Sequence, residues 1–185
     1  MSVFGDGLEA AVQRAFTRPA PKTAPAQMRY LVKQLKTTKA VAQTLRISQR
    51  TVERYVKDQI KKPRPDLAAR LEREVKKRWQ PQIRARARQR AATTGGIVID
   101  TQARIGYTAP VGTTDDARVR HLTVALPPQY AARLFDAQQA GAGDQQLQQI
   151  AAEGLKEIYF QDNGRRAGSL EEVRFTDIEH LEFEL

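Results

Sequence analysis

The chain has 185 residues, no cysteine and a formal net charge of +10. Disulfide bonds and thiolate metal sites are therefore excluded, which suits a reducing compartment. Asp6 and Glu9 interrupt the apolar run that a secretory signal needs, and no segment reaches membrane-spanning length, so we expect a cytoplasmic protein without membrane contact.

The positive charge is concentrated in the first half of the chain. Residues 1–92 carry 23 Lys and Arg against 7 Asp and Glu, whereas residues 93–185 carry 8 against 14, giving net charges of +16 and −6. Such asymmetry predicts two modules and favours nucleic acid as the partner of the first. The predicted fold class is α+β, with an all-α, basic DNA-binding module over residues 1–92 and a smaller α+β module over residues 93–185.

Three amphipathic helices are predicted in the basic module, because apolar residues recur there every three or four positions. A proline-rich stretch over residues 19–25 separates the first helix from the second. The apolar residues are Phe4, Leu8, Val12, Ala15 and Phe16 in the first helix, Met28, Leu31, Val32 and Leu35 in the second, and Leu67, Leu71, Val75 and Trp79 in the third.

Residues 38–57 have the pattern of a helix-turn-helix. Thr38 is placed to cap its first helix and Ser48 its second, and Ile47 fills the turn between them. Arg46 departs from the pattern, because it stands at a turn position that usually holds glycine. A left-handed backbone there costs a non-glycine residue about 1 kcal/mol or more, so we expect a slightly remodelled turn.

The second helix of this motif carries the predicted DNA-reading face, opposite the apolar Val52, Tyr55 and Val56. Arginine and glutamine make bidentate contacts to guanine and adenine edges, and lysine contacts phosphate. An ordinary three-helix core with an inactive basic face is the alternative, and the charge of this half of the chain favours DNA binding. The predicted DNA-binding residues here are Gln49, Arg50, Thr51, Arg54 and Lys57.

A run of arginines follows Pro81. Four arginines in seven residues cannot all face one core, so the run is either solvated or bound to phosphate. We predict phosphate, although a nuclear-import signal has a similar composition. The residues are Arg84, Arg86, Arg88 and Arg90.

Strand and helix patterns alternate in the acidic half. Residues 97–107 and 119–126 are predicted strands, two helices follow over about 128–159, and the tail again alternates as a strand. This module is a candidate for a protein-binding or dimerising surface. Its only histidines, His121 and His180, fall in predicted strands, and we expect them to be structural because no metal or catalytic motif surrounds them.

The loop between the first two strands, residues 108–117, displays the hydroxyls of Thr113 and Thr114. A simple turn is the plainest interpretation of this segment. A threonine hydroxyl is a poor nucleophile unless a base or a metal activates it.

The chain resembles the telomeric terminal proteins of streptomycete linear chromosomes and plasmids over essentially its whole length. The segments that carry the likeness are TLRISQRTVERYVKDQIKKPRPDLAARLEREVKKRW, GGIVIDTQARIGYTAPVGTTDDARVRHLTVALPPQYAARLF and DIEHLEFEL. The resemblance implies a protein that caps linear DNA, joined covalently to its 5′ ends. The threonine that accepts the first deoxynucleotide in that family corresponds to Thr114.

The resemblance also implies a protein primer for end patching, not an enzyme, with no metal or cofactor of its own because the polymerase supplies Mg²⁺. The implied partners are telomeric DNA, as single-stranded 3′ overhang or duplex, a telomere-binding recruiter protein and a DNA polymerase. A second copy of the chain is a further candidate partner. The expected location is the nucleoid, at chromosome or plasmid ends.

Several alternatives stay open at this point. Thr113 is the rival nucleotide acceptor, and Asp115 and Asp116 either orient the loop or approach the polymerase metals. A non-covalent transcriptional regulator would use the same helix-turn-helix and leave Thr114 without a role. A DNA-cleaving enzyme with a nucleophilic tyrosine, Tyr107 or Tyr130, is disfavoured because the expected Arg/His/Lys constellation is missing.

Overall fold

The computed structural model describes residues 2–108 and 117–185, which form two compact units. The helical unit is Thr17–Pro81, and the sheet unit combines Met1–Phe16 with Gln82–Leu185. The predicted α+β class is confirmed. In the described part of the chain, no helix is both long enough and apolar enough to cross a bilayer.

The elements follow one another in a simple order. The helices are α1 (Val3–Arg14), α2 (Ala24–Leu35), α3 (Thr38–Leu45), α4 (Gln49–Val56), α5 (Pro65–Arg78), α6 (Pro81–Arg90), α7 (Pro128–Gln139) and α8 (Asp144–Leu155). Two π-helical turns, Ala91–Gly95 and Lys156–Phe160, extend α6 and α8. The strands are β1 (Ile97–Thr108), β2 (Arg118–Leu126) and β3 (Glu172–Glu184).

The helical unit buries the apolar stripes of α2 to α5 in one core. At its edge the ring of Tyr30 packs against Trp79, with centroids 4.9 Å apart, and the Trp79 indole donates a hydrogen bond to the carbonyl of Arg18. These contacts tie both ends of the unit to its core. The fully buried side chains of this core include Met28, Leu31, Val41, Leu45, Val52 and Leu71.

The sheet unit is built on an antiparallel sheet in the order β2-β1-β3. Ile99 of β1 lies between Val124 of β2 and Phe183 of β3, and all three are buried on the side that α1, α7 and α8 cover. Gly96 immediately precedes β1 and has φ 71°, and a Cβ there would lie 2.3 Å from the carbonyl oxygen of Leu126, at the end of β2. Only glycine fits this close approach of the two backbones.

The boundary between the units differs from the one predicted after residue 92. Helix α1 belongs to the sheet unit, because the Asp144 carboxylate accepts hydrogen bonds from the backbone N–H groups of Val3, Phe4 and Gly5 at 2.8–3.2 Å. The Phe4 ring also packs against Phe183, with centroids 6.1 Å apart. The α+β unit is therefore the larger of the two, whereas the sequence predicted that it would be the smaller.

Candidate nucleic-acid interface

The helix-turn-helix is held by side-chain caps at both helix starts. Ser48 is the N-cap of α4, and its hydroxyl accepts a hydrogen bond from the Thr51 N–H at 3.2 Å, as predicted. The cap of α3 is Thr37, whose hydroxyl accepts from the Ala40 N–H at 3.0 Å. The predicted cap, Thr38, is instead the first residue of the helix, so that prediction is wrong by one position.

The turn between α3 and α4 requires a left-handed residue, and Arg46 supplies it. Its backbone lies at φ 54° and ψ 50°, the left-handed conformation that glycine usually adopts at this position, so the slight remodelling of the turn that was expected does not occur. The following N–H, from Ile47, donates to the Ala42 carbonyl at 3.0 Å, and the Ile47 side chain packs on the core of the helical unit. The turn therefore keeps its usual geometry at a conformational cost of about 1 kcal/mol or more.

Helix α4 separates its apolar side from its polar side as predicted. Val52 is fully buried and Tyr55 is 3 % exposed, so they anchor the helix to the core. The opposite side carries the four exposed residues of the predicted DNA-binding set, whereas Thr51 is half buried and its hydroxyl is 2.8 Å from that of Ser48. The four exposed residues are Gln49, Arg50, Arg54 and Lys57.

Gln49 is held by hydrogen bonds within the motif. Its amide nitrogen donates to the Thr38 hydroxyl at 3.1 Å and to the Glu53 carboxylate at 2.9 Å. To contact a base edge, Gln49 must exchange these bonds. Glu53, which no sequence pattern marked as a binding residue, is the one acidic residue of α4, and its carboxylate can accept a hydrogen bond from the amino group of cytosine.

The carboxyl end of α4 is fixed by a residue of α2. The Arg29 guanidinium donates to the Val56 carbonyl at 3.1 Å and to the Asp58 carboxylate at 2.7 Å. Asp58 itself has a left-handed backbone, at φ 58°. Since these partners are 27 and 29 positions away in the chain, no local sequence signal identified this contact.

The arginine run is a helix, α6, and its four side chains have different surroundings. Arg84 is buried and forms a two-pronged ion pair with Glu9, with both N–O distances 2.6 Å. Arg88 is half buried, 3.9 Å from the same carboxylate. The predicted phosphate contact is therefore wrong for Arg84, and Arg88 is directed at Glu9 as well. Arg86 and Arg90 are exposed, and their phosphate contact stays a prediction.

The pair with Arg84 changes the acidity of Glu9. Burial raises the pKa of Glu9, but hydrogen bonds from Arg84 and Gln13 and the charges of Arg84 and Arg88 outweigh it, so the pKa lies below the ordinary 4.5. A carboxyl group whose pKa is lowered by folding stabilises the fold above its unfolded-state pKa. This contribution is lost as the pH falls from about 4.5 through the folded-state pKa.

Replacing Glu9 with glutamine is expected to lower the free energy of unfolding at pH 7 by about 3 kcal/mol, because Arg84 is left buried without its counter-charge. The variant should also lose part of the acid sensitivity of the wild type below pH 4.5. Urea denaturation at pH 7 and at pH 3.5 measures both effects. The matched control is Glu153→Gln, which removes an exposed pair with Arg133. Equal destabilisation by the two variants would contradict the structural role of the Glu9 pair.

The predicted nucleotide acceptor lies outside the described residues. Thr114, its rival Thr113 and the two aspartates that follow fall in the segment 109–116. The chain enters this segment after Thr108, at the end of β1, and leaves it at Ala117, whose carbonyl accepts a hydrogen bond from Arg104 at 3.0 Å. The segment thus connects two paired strands of the sheet.

The two tyrosines of the strand-cleavage alternative are placed in the sheet unit. Tyr130 is 5 % exposed and donates its hydroxyl to the Glu157 carboxylate. Burial, together with this hydrogen bond, raises the pKa of Tyr130 to about 12, so the phenol stays protonated at neutral pH. Tyr107 is half buried. The surroundings of Tyr130 therefore argue against its use as a nucleophile.

The histidines lie on the polar face of the sheet. His121 Nε2 is 3.1 Å from the Asp100 carboxylate, and His180 Nε2 is 3.8 Å from it. In residues 2–108 and 117–185, no group of three or more His, Asp or Glu side chains is arranged to hold a metal ion.

Comparison with protein families, with curated proteins and with solved structures returns no match for this chain.

Proposed function

We propose that the protein is a DNA-binding terminal protein of a linear replicon. It holds telomeric DNA through α4 and accepts the first nucleotide of a 5′ strand on the hydroxyl of Thr114. The observation that supports DNA binding is a capped α4 that is buried at Val52 and exposed at Gln49, Arg50 and Arg54. The covalent step is supported by the resemblance to the telomeric terminal proteins.

The binding side of this proposal follows from the shape of the motif. A DNA major groove is about 12 Å wide and admits one helix, whose polar side chains then reach the base edges. The Ser48 cap at the amino end of α4 and the Arg29 contact at its carboxyl end hold the helix on the core of the helical unit. The exposed arginines match guanine edges, and the net charge of the first half of the chain favours a polyanion.

The chemical side follows from the requirement of a DNA polymerase for a hydroxyl on which to begin. At the extreme 5′ end no 3′-hydroxyl remains, so the 3′ overhang stays unpaired after replication. The Thr114 oxygen replaces that hydroxyl: it forms a bond to the α-phosphorus of a deoxynucleoside triphosphate, its proton is released, and pyrophosphate leaves. The polymerase supplies the Mg²⁺ ions, which stabilise the negative charge on the departing pyrophosphate. The chain itself is therefore the nucleotide acceptor and not the enzyme.

The proposed partners follow from these two roles, DNA binding by α4 and nucleotide acceptance by Thr114. They are the telomeric DNA, a telomere-binding recruiter protein and the DNA polymerase, with a second copy of the chain as a further candidate. The proposed location is the nucleoid within the cytoplasm, at the ends of linear chromosomes or plasmids. A non-covalent transcriptional regulator is the second candidate function, because a helix-turn-helix is equally suited to an internal operator.

The two functions are separated by the behaviour of native DNA ends in a gel. Terminal restriction fragments from the source replicon are expected to enter the gel only after protease treatment, whereas internal fragments enter with or without it. After protease treatment, a short peptide should remain attached to the 5′ end of each terminal fragment. Terminal fragments that enter freely without protease would overturn the covalent function and favour the regulator.

A further inference from the structure

A short basic segment connects α4 to α5 in the helical unit. Residues 61–64, with the sequence KKPR, belong to neither a helix nor a strand, and we refer to them as the basic strap. The backbone of Arg64 is extended, at φ −65° and ψ 153°. Lys62 and Arg64 each precede a proline, a position that disfavours helical backbone angles, and Pro63 has a fixed φ. The strap is therefore stiff and extended.

The strap is held against the end of α4. Just before it, the Gln59 N–H donates a hydrogen bond to the Arg54 carbonyl at 2.9 Å, so the chain turns back over the last turn of α4. Ile60 packs on the core of the helical unit, and the Tyr55 hydroxyl donates to the Lys62 carbonyl at 3.4 Å. The strap thus starts close to the backbone of Arg54, one of the predicted DNA-binding residues.

The charged side chains of the strap are all positive and exposed. They are Lys61, Lys62 and Arg64. The acidic residues that flank the strap in sequence are each paired with an arginine outside it. Asp58 pairs with Arg29 at 2.7 Å, and on the other side Asp66 pairs with Arg70 at 3.2 Å. Because the flanking carboxylates are engaged elsewhere, this run of three positive charges favours an anionic partner.

We propose that the basic strap binds the sugar-phosphate backbone of duplex DNA beside the groove that α4 occupies. The proposal rests on DNA binding by α4 and adds a second contact to it. A helix in the major groove has a phosphate strand on each side, and the segment that leaves its end lies near one of them. Four extended residues span up to about 13 Å, and each DNA strand carries a phosphate about every 3.4 Å along the helix axis, so each charge of the strap can meet a phosphate.

The strap and α4 then have different effects on binding. Contacts of lysine and arginine to phosphate hold a protein in register on the duplex but carry no sequence information, whereas contacts to base edges do. The strap should therefore contribute to affinity equally on every sequence, and α4 should supply the preference for telomeric DNA. Because Gln59 and Tyr55 fix the strap to α4, its phosphate contacts also help to set the position of α4 in the groove.

The test is fluorescence anisotropy of the full-length protein with a terminal duplex and an unrelated duplex of equal length, over a range of salt concentrations. Lys62→Ala with Arg64→Ala is expected to weaken binding by about tenfold or more at about 0.1 M salt, by the same factor on both duplexes. The slope of log affinity against log salt concentration should become shallower by about 0.9 for each lost phosphate contact, about 1.8 in total.

Arg73→Ala with Lys77→Ala is the matched control, because it removes the same charge from exposed positions of α5. It should change the slope by less than about 0.5. An unchanged slope in the strap variant, an equal change of slope in the control, or a loss confined to the terminal duplex would overturn the proposal. These outcomes would leave DNA binding by α4 intact, whereas a wild type that binds neither duplex would overturn both proposals.

Discussion

Replacing Arg50 and Arg54 together with alanine is expected to weaken binding to telomeric DNA by about a hundredfold or more. Both side chains are exposed on α4, on the side opposite the buried Val52. A bidentate contact of arginine to guanine contributes about 1–3 kcal/mol of discrimination, so two contacts together account for this loss. The fold should be unaffected, because neither side chain is part of the core.

The matched control removes the same charge from another helix of the helical unit. Arg73 and Lys77 are exposed on α5, and their replacement with alanine is expected to weaken all DNA binding only slightly. Fluorescence anisotropy with a terminal fragment and an unrelated fragment of equal length, over a range of salt concentrations, separates the two effects. The α4 variant should lose its preference for the terminal fragment. If both variants lost affinity equally on both fragments, α4 would not be the reading helix.

Replacing Thr114 with alanine is expected to abolish transfer of a labelled nucleotide to the protein. The reason is chemical: alanine has no oxygen on which a polymerase can form the phosphoester bond. Thr114→Ser should retain part of the transfer, because serine keeps the hydroxyl without the methyl group. The assay incubates the protein with the polymerase, telomeric single strand and an α-labelled deoxynucleoside triphosphate, and measures label on the protein after gel electrophoresis.

Thr113→Ala is the control that separates the two neighbouring threonines. It should accept nucleotide at a rate within a few-fold of the wild type, since its hydroxyl has no part in the proposed step. Full labelling of Thr114→Ala with loss of labelling in Thr113→Ala would move the acceptor by one residue. Full labelling of both variants would remove this pair of threonines from the mechanism.

The helical unit was largely predictable because its signals are local. The burial of Val52 and Tyr55 and the cap at Ser48 follow from residue types within a few positions of one another. The left-handed Arg46 did not follow, because arginine disfavours that conformation and a remodelled turn was expected. The contact that fixes the far end of α4 did not follow, because Arg29 reaches it from another helix. Local patterns thus predict which face α4 exposes, and tertiary contacts decide how rigidly it is held.

In the arginine run, composition did not predict which of the four side chains are exposed. Arginines at alternate positions suggest a uniformly solvated segment, but in a helix positions four apart share one face. Arg84 and Arg88 therefore both face Glu9, while Arg86 and Arg90 are exposed. The partner of this face, Glu9, is 75 residues away from Arg84, which no spacing pattern in the run reveals.

Long-range contacts also explain the position of the module boundary. Charge divides the chain near residue 92, but α1 joins the sheet unit through Asp144, more than 130 residues away. Strand alternation predicted β1, β2 and a strand in the tail, but not the order β2-β1-β3 in which they pair.

The covalent linkage to DNA can be tested by mass spectrometry of the protein released from native DNA ends by exhaustive nuclease digestion. We expect a peptide covering residues 108–117 that is heavier by one deoxynucleotide, with fragment ions that place the added mass on Thr114. Termini that release only unmodified peptide, or peptide modified on a side chain outside this segment, would rule out Thr114 as the point of attachment.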